Sequence, residues 1–218
     1  PQIAMATHSS LRYTTAMQRG FSLVELSIVL VILGLLTGGI LAGQSLIRAA
    51  ELRSISSDYQ RYATSIGTFR DKYMALPGDM TNATSFWGAG TCPGTSANTA
   101  TAQTTTCNGD GDGVIEQAEA STSTSNGLYR FWQHLANAGL IEGAYTGVSN
   151  NAAYNTTYSN IGLNVPAGRI SNSGWTMYPL GVIAISDTSY FEGSYGNNFV
   201  FGGGQTSGIT NIANLKPE

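Results

Sequence analysis

The sequence holds few of the side chains on which enzymes usually depend. Among its 218 residues are two histidines and two cysteines, and charged residues make up only 11%. It contains no nucleophile-elbow, phosphate-loop or dinucleotide-binding pattern. The inner histidine, His134, has no cysteine, aspartate or glutamate nearby at ligand spacing. We therefore expect a protein that is not an enzyme, with His134 in a packed or surface position on a helix.

Positive charge is scarce beyond Ala75. In that part of the chain, nine acidic side chains stand against three basic ones, Arg130, Arg169 and Lys216. So acidic a region is a poor match for a phosphate backbone, and we expect no nucleic-acid partner. Low overall charge with many small polar residues favours an extracytoplasmic domain over a cytosolic one.

The sequence does have one long apolar run, from Phe21 to Gly43. Its 23 residues are enough to cross a bilayer core of ~30 Å as a helix. The side chains in the run that are not apolar are Ser22, Glu25, Ser27 and Thr37. A carboxylate in hydrocarbon costs ~2.5–3.5 kcal/mol. Glu25 therefore needs a partner and is a candidate functional residue.

Residues 1–20 precede the apolar run and contain Arg12 and Arg19 but no acidic residue. Positive charge at this place predicts that the N-terminus stays on the cytoplasmic side of the membrane. Two other interpretations of the run remain open. One is a secretory signal cleaved near Ala42, and the other is a plain membrane anchor.

The apolar run continues into an amphipathic pattern without an intervening proline. Apolar residues recur at alternating spacings of three and four, at Leu52, Ile55, Tyr59, Tyr62, Ile66, Phe69 and Tyr73. This seam predicts one helix of about 53 residues over 21–73. The charged residues that fall outside the seam are Glu51, Arg53, Asp58, Arg61 and Arg70. A free coiled coil is the alternative, but the acidic region that follows needs a helix to pack on.

The rest of the chain predicts a small globular domain. Pro77-Gly78 favours a turn that ends the helix, and Asp79 is expected to cap a short segment over 80–87. A second amphipathic helix is predicted over 128–138, before Gly139. Short apolar runs that predict strands follow at Trp175–Tyr178, Leu180–Ile185 and Phe199–Phe201. The expected fold class is α+β, a long N-terminal transmembrane and amphipathic helix packed on a small C-terminal antiparallel sheet with one extra helix.

Gly20-Phe21, the carboxylate of Glu25 and the apolar run together resemble the N-terminus of a type IV prepilin or a type II secretion pseudopilin. The resemblance implies that a prepilin peptidase cleaves after Gly20 and methylates the new N-terminal Phe21. It divides the chain into a leader (1–20), a transmembrane half of the long helix (21–43), an amphipathic half (44–75) and an extracytoplasmic domain (76–218). That domain more loosely resembles pilin-like proteins of unassigned role, through Leu76-Pro77-Gly78-Asp79 and Phe131-Trp132-Gln133-His134-Leu135.

The resemblance also implies partners and a location. Cleavage would leave an ammonium group on Phe21 that can pair with Glu25 of a neighbouring subunit and select the assembly register. The partners are the peptidase, other pilin or pseudopilin subunits and the inner membrane, with the domain first periplasmic and later in a filament at the cell surface. The alternative is a membrane-anchored, calcium-stabilised binding or adhesin module that does not polymerise. Pilus and secretion pseudopilus are not separated, nor are major and minor subunits, since no proline lies near Ala42 where many major subunits carry one.

An acidic loop over 108–119 matches the twelve-residue pattern of a calcium-binding loop. Gly113 occupies the sixth position, where that pattern turns sharply. The candidate calcium ligands are Asn108, Asp110, Asp112, the carbonyl of Val114, Glu116 and Glu119. A Gly/Asp-rich surface turn without an ion is the alternative, because no helix is predicted before the loop.

Cys92 and Cys107 lie on either side of a Thr/Ser/Ala-rich segment, and Cys107 directly precedes the acidic loop. Outside the cytoplasm such a pair is expected to form a disulfide. The bridge would close a loop of about 15 residues and stabilise the fold by ~3 kcal/mol in the chain-entropy model. A bridge and a structural calcium ion would together order a segment whose composition otherwise favours disorder.

Overall fold

The computed structural model describes residues 20–90, 102–115, 127–148, 159–180 and 195–204. Contacts within the chain divide it into two compact units, 1–48 and 49–218. The regular elements are α1 (Leu23–Tyr73), α2 (Ala83–Trp87), α3 (Gly127–Asn137), β1 (Ser173–Leu180) and β2 (Gly196–Gly203). The predicted α+β class, with a long N-terminal helix, a further helix and a small antiparallel sheet, is confirmed.

In the first unit, the described residues form the apolar part of α1. The helix is long and apolar enough to cross a membrane, and none of its most apolar stretch is buried inside the protein. Leu35, for example, is 73% exposed. The unit therefore has apolar surface to place against something other than its own chain.

In the second unit, α1 packs against a core through one side. Tyr62 and Phe69 of the predicted seam are fully buried, while Leu52 and Tyr59 remain about half exposed. The Tyr62 ring lies edge-on to Trp132 of α3, with centroids 4.9 Å apart. The seam residues Tyr62 and Phe69 thus carry most of the packing, a concentration that the uniform periodicity did not predict.

Asp58 lies outside the predicted apolar seam and is nevertheless buried. It is only 2% exposed. Its Oδ1 lies 3.4 Å from Arg61 Nη2 and 3.4 Å from Arg169 Nε. Burial of a carboxylate is tolerated where cations and hydrogen-bond donors surround it. The ion pair with Arg169 links α1 to the segment that leads into β1.

The sheet consists of β1 and β2, which pair antiparallel from Ser173↔Gly203 to Leu180↔Gly196. Trp175 faces the helix side of the core, and its ring lies 5.8 Å from that of Tyr62. Phe199 of β2 contacts the same tyrosine at 6.1 Å. The sheet therefore packs on the α1 seam, as predicted. Of the predicted strand at Leu180–Ile185, the residues after 180 lie outside the described ones.

Helix α3 is more deeply buried than its predicted amphipathic character indicates. Every residue from Gly127 to Leu135 is buried, including Arg130, Gln133 and His134. A helix buried on all sides must satisfy its polar side chains internally. Gln133 does so in part, since its Nε2 donates to the carbonyls of Gln103, Thr105 and Thr146.

His134 joins three segments inside the core. Its Nδ1 accepts a hydrogen bond from the Gly78 N–H at 3.0 Å. The ring proton is then on Nε2, which donates to Thr106 Oγ1 at 2.8 Å. Burial, together with the charge of Arg130, lowers the pKa of His134 to about 3. The histidine is therefore neutral and holds the turn after α1 against α3 and the segment before the acidic loop.

Candidate functional sites: the processing segment and the acidic loop

The start of α1 is capped by two hydrogen bonds that both involve Ser22. Glu25 Oε2 accepts the Ser22 N–H at 2.8 Å. Ser22 Oγ in turn accepts the Val24 N–H at 3.3 Å. This is a variant of the capping box: the Glu25 carboxylate satisfies the N–H of the residue before the helix, and the Ser22 hydroxyl satisfies the N–H of the second helical residue. Sequence analysis missed it, although the Ser-x-x-Glu spacing was a sufficient signal.

The capping box gives Glu25 a partner within its own chain. It also sets the first helical residue at Leu23, so that Gly20 and Phe21 precede the helix. Phe21 is 89% exposed. The predicted cleavage point, between Gly20 and Phe21, therefore lies in exposed, non-helical backbone, where peptidases find their substrates accessible.

The acidic loop brings together two predicted calcium ligands and one residue that was not predicted as a ligand. Carboxylate oxygens of Asp110, Asp112 and Asp79 all lie within 4.8 Å of one another. Asp79 belongs to the turn after α1, more than 30 residues earlier in the chain. Three carboxylates at this spacing repel one another unless a cation or a proton lies between them.

Asp79 corrects a prediction of the sequence analysis. Its Oδ1 accepts the Gly111 N–H at 2.7 Å, and its Oδ2 accepts the Gly113 N–H at 2.8 Å. It therefore holds the loop and does not cap the 80–87 segment. That segment becomes α2 only from Ala83, and its Thr84 N–H donates to the side chain of Asn108 at 2.9 Å.

The pKa of Asp79 is raised to about 6. Burial is the largest cause, and the neighbouring carboxyl group of Asp110 raises the pKa further. The N–H groups of Gly113 and Gly111 act in the opposite direction because they stabilise the charged form. Asp79 therefore takes up its proton at a higher pH than an ordinary aspartate, and a cation in the cluster would favour its ionised form.

The loop backbone follows the pattern of a cation-binding loop. Gly113 has a φ of 92°, which supplies the sharp turn expected at the sixth position. Asp112 Oδ1 accepts the Val114 N–H at 2.7 Å, which fixes the direction of that carboxylate. Asn197 of β2 clamps the exit, since its Oδ1 accepts the Ile115 N–H and its Nδ2 donates to the Gly113 carbonyl.

Of the remaining predicted ligands, the structure describes Asn108 and Val114. Asn108 Oδ1 accepts a hydrogen bond from the Thr84 N–H, and Val114 is half-buried. Glu116 and Glu119 lie outside the described residues, so their part in the site stays a prediction. The same holds for the disulfide: Cys107 is buried, and Cys92 lies outside the described residues.

A cavity of about 630 Å³ adjoins the cluster. Its lining includes Asp79, Gly111 and Gly113 of the loop region, Arg70 and Asp71 of the last turn of α1, and Met74, which follows the helix. The cavity gives an ion from solution a route to the otherwise buried Asp79. It also gives the site a boundary that is partly charged and partly apolar.

Comparison with known proteins finds one match. Residues 15–41 match the family model described as the prokaryotic N-terminal methylation motif. Neither a curated protein nor a solved structure matches the chain. The matched segment contains Gly20, Phe21, the capping box and the first part of α1. The chain therefore carries the N-terminal signal of type IV pilin-like and pseudopilin precursors, which prepilin peptidase processes.

Proposed function

We propose that this chain is a structural subunit of a type IV pilus or of a type II secretion pseudopilus. The observation that carries the proposal is the methylation motif over residues 15–41 at the start of an exposed apolar helix. Cleavage after Gly20 removes the leader and leaves Phe21 as the N-terminal residue to be methylated. The helix then holds the subunit in the inner membrane, with its domain periplasmic, until subunits assemble.

Assembly needs a partner for the apolar side chains of α1. In the first unit they are exposed along the whole helix, and Gly34, Gly38, Gly39 and Gly43 have no heavy atom near the position of an added Cβ. Lipid covers such a surface in the membrane, and other α1 helices cover it in a filament. The ammonium on Phe21 then meets Glu25 of a neighbour, which removes the desolvation cost of both charges.

N-terminal mass spectrometry of the protein recovered from membranes tests the processing step. The expected mature chain begins at N-methylated Phe21. Gly20→Arg should leave the leader attached, whereas Gly67→Arg, on an exposed and open position of α1, should be processed normally. An unprocessed wild-type chain in a host that contains prepilin peptidase would contradict the proposal.

The acidic loop supports a second element of the proposal, a structural calcium ion. Asp110 and Asp112 supply two loop ligands, and Asp79 adds a carboxylate from outside the loop. Oxygen ligands of this kind, with carboxylates in excess, suit Ca²⁺. The ion would fix the turn after α1 to the loop and thereby stabilise the exposed side of the domain.

The acidic loop, with its proposed calcium ion, is equally compatible with the alternative function, a membrane-anchored binding or adhesin module that never polymerises. Such a module needs an anchor but neither the cleavage signal nor Glu25. Purification of filaments separates the two functions: a subunit is found in sheared filaments, and a module remains in the membrane fraction. We place the subunit first because the methylation motif has no use in a plain anchor.

A further inference from the structure

Met74 directly follows α1 and is exposed in a way that the packing of the domain does not explain. It is 87% exposed and belongs neither to the core nor to the apolar residues packed on it. Its φ is 53°, in the left-handed region that residues with a side chain rarely adopt and that glycine usually occupies at the end of a helix. No packing among the described residues therefore accounts for a large apolar side chain at this position.

Two charged residues lie beside Met74 at the end of α1. The Met74 N–H donates to the Arg70 carbonyl at 2.8 Å, so Arg70 and Asp71 are its neighbours one turn back. Both are exposed, and neither forms an ion pair with a described residue. All three residues line the cavity of about 630 Å³. We call them the Met74 patch, which offers solvent one apolar side chain and both signs of charge.

A second set of solvent-accessible residues with the same character lies earlier on α1. Leu52 belongs to the predicted seam, but it is 49% exposed and does not pack on the core. Glu51 and Arg53 flank it in the sequence, and neither forms an ion pair within the described part of the chain. These three residues, the Leu52 patch, again combine one apolar side chain with both signs of charge.

We propose that the Met74 patch of one subunit binds the Leu52 patch of a second copy of this chain. The patches are complementary in apolar character and in charge: Leu52 against Met74, Arg53 against Asp71 and Glu51 against Arg70. The contact removes both apolar side chains from water and gives each charge a partner of opposite sign. It rests on the proposed function, because it joins subunits of a filament.

The positions of the two patches make the contact head-to-tail. They lie about 20 residues apart on one helix, which corresponds to ~30 Å at 1.5 Å per residue. Because they are different surfaces, a subunit bound through its Met74 patch still has a free Leu52 patch for the next copy. Such a heterologous contact builds an open helical assembly when the rotation between copies does not close a ring. An open assembly is the form of a filament.

Charge reversal tests the pairing of Arg53 with Asp71. Arg53→Glu and Asp71→Arg each bring like charges together, so each should lower the amount of subunit in sheared filaments by at least about tenfold. The double variant restores opposite charges and should recover assembly. Lys72→Glu is the control, because Lys72 lies over the Tyr73 ring, outside both patches, and should assemble normally. Quantitative blotting of filaments against membranes gives the assembled fraction.

Cross-linking tests the apolar part of the contact without any change of charge. A chain with Leu52→Cys and Met74→Cys is treated, in intact filaments, with a short bismaleimide that joins two thiols. We expect a ladder of covalent dimers, trimers and higher multimers. A chain with Thr64→Cys and Met74→Cys should give no ladder, because Thr64 lies on α1 outside both patches. The chain without added cysteines gives the background from Cys92 and Cys107.

The outcomes separate this contact from the proposed function. A wild-type chain that is absent from filaments would refute the subunit function, and the contact with it. Wild-type filaments in which both single charge reversals assemble normally would refute the contact alone. So would a chain with Leu52→Cys and Met74→Cys that enters filaments and gives no ladder.

Discussion

The two units of this chain differ in whether their apolar side chains are exposed or buried. In the first, residues such as Leu30 and Leu35 are 62% and 73% exposed. In the second, Trp132 and Phe131 of α3 are completely buried, and the Trp132 ring packs edge-on against Tyr62 of the α1 seam. The apolar side chains of α1 are therefore exposed in the first unit, whereas in the second unit some of them belong to a buried core. The buried core lies in the second unit, and the first unit offers the exposed apolar surface through which the proposed assembly would occur.

Charge follows the same division. The carboxylate at the head of the apolar run, Glu25, is exposed and accepts a hydrogen bond from the backbone of the same turn, the Ser22 N–H. The buried charged groups of the domain, Asp58, Asp79 and Arg130, each contact groups from distant parts of the chain. A charge with a local partner is available to a second molecule, whereas a charge with distant partners holds the fold. Four predictions test this division.

The first prediction concerns Glu25, where two roles can be separated. Glu25→Ala removes both the negative charge and the acceptor for the Ser22 N–H, whereas Glu25→Gln keeps an acceptor oxygen. If the charge pairs with the neighbouring ammonium, both variants should be cleaved yet reach filaments at least about tenfold less, equivalent to ~1.4 kcal/mol per contact. Quantitative blotting of sheared filaments gives the fraction assembled.

Ser22→Ala is the control for Glu25, because it removes the hydroxyl that accepts the Val24 N–H and keeps the carboxylate. It should assemble normally. Normal assembly of Glu25→Gln together with failure of Glu25→Ala would assign the role to helix capping, and the pairing of charges between subunits would be wrong.

The second prediction compares matched truncations in the two units. Trp132→Ala empties a fully packed site and should lower the free energy of unfolding by ~3–5 kcal/mol. Leu30→Ala removes an exposed apolar side chain and should leave the unfolding of the domain unchanged. Chemical denaturation followed by tryptophan fluorescence measures both. A large loss of domain stability in Leu30→Ala would show that the two units do not divide stability and association in this way.

These differences also explain how much could be predicted from the sequence. Helix α1, the stop after α3 and the strand at Trp175–Tyr178 follow from local patterns, and the structure contains all three. The burial of Asp58 depends on Arg169, and the hydrogen bonds of the Asp79 carboxylate depend on Gly111 and Gly113. All of these partners lie more than 30 residues away in the chain. No local pattern contains that information.

The acidic loop illustrates the same limit. Its spacing predicted that Asp110 and Asp112 would lie together, and the positive φ of Gly113 agrees with the predicted sharp turn. The loop is nevertheless completed from outside, by Asp79 and by the Asn197 clamp. The capping box is a different kind of omission, since Ser22 and Glu25 are three residues apart and their spacing alone could have identified it.

The third prediction concerns calcium and is confined to the domain. At a free concentration near 100 times the dissociation constant, a bound ion stabilises by ~2.7 kcal/mol. Chelation should therefore lower the melting temperature by roughly 5–11 °C for a chain of this size. Differential scanning fluorimetry of the full chain in detergent, with and without chelator, measures the shift.

Asp112→Asn should abolish the response to chelator, because it removes one ligand charge and keeps an acceptor for the Val114 N–H. Asp71→Asn is the matched control, since Asp71 lines the neighbouring cavity and lies outside the carboxylate cluster. It should keep the full response. A wild type that melts at the same temperature with and without chelator would rule out a structural ion.

The smallest predicted effect is a dependence on pH that comes from His134. Its pKa is about 3 in the folded protein, below the ordinary value of 6.5. A lowered pKa contributes stability that is complete above pH 6.5 and is lost as the pH falls towards 3, because the unfolded chain takes up the proton first. At pH 5 the loss should be roughly 2 kcal/mol.

His134→Gln isolates this contribution. Glutamine cannot titrate, so the stability difference between the wild type and His134→Gln should shrink by roughly 2 kcal/mol between pH 7 and pH 5. Urea unfolding of the full chain in detergent at both pH values gives the difference. Asp79 acts in the opposite direction, since its raised pKa contributes stability below pH 3.8 that is lost as the pH rises through about 6. It is present in both proteins, and a difference that stays constant with pH would mean that His134 does not remain neutral in the core.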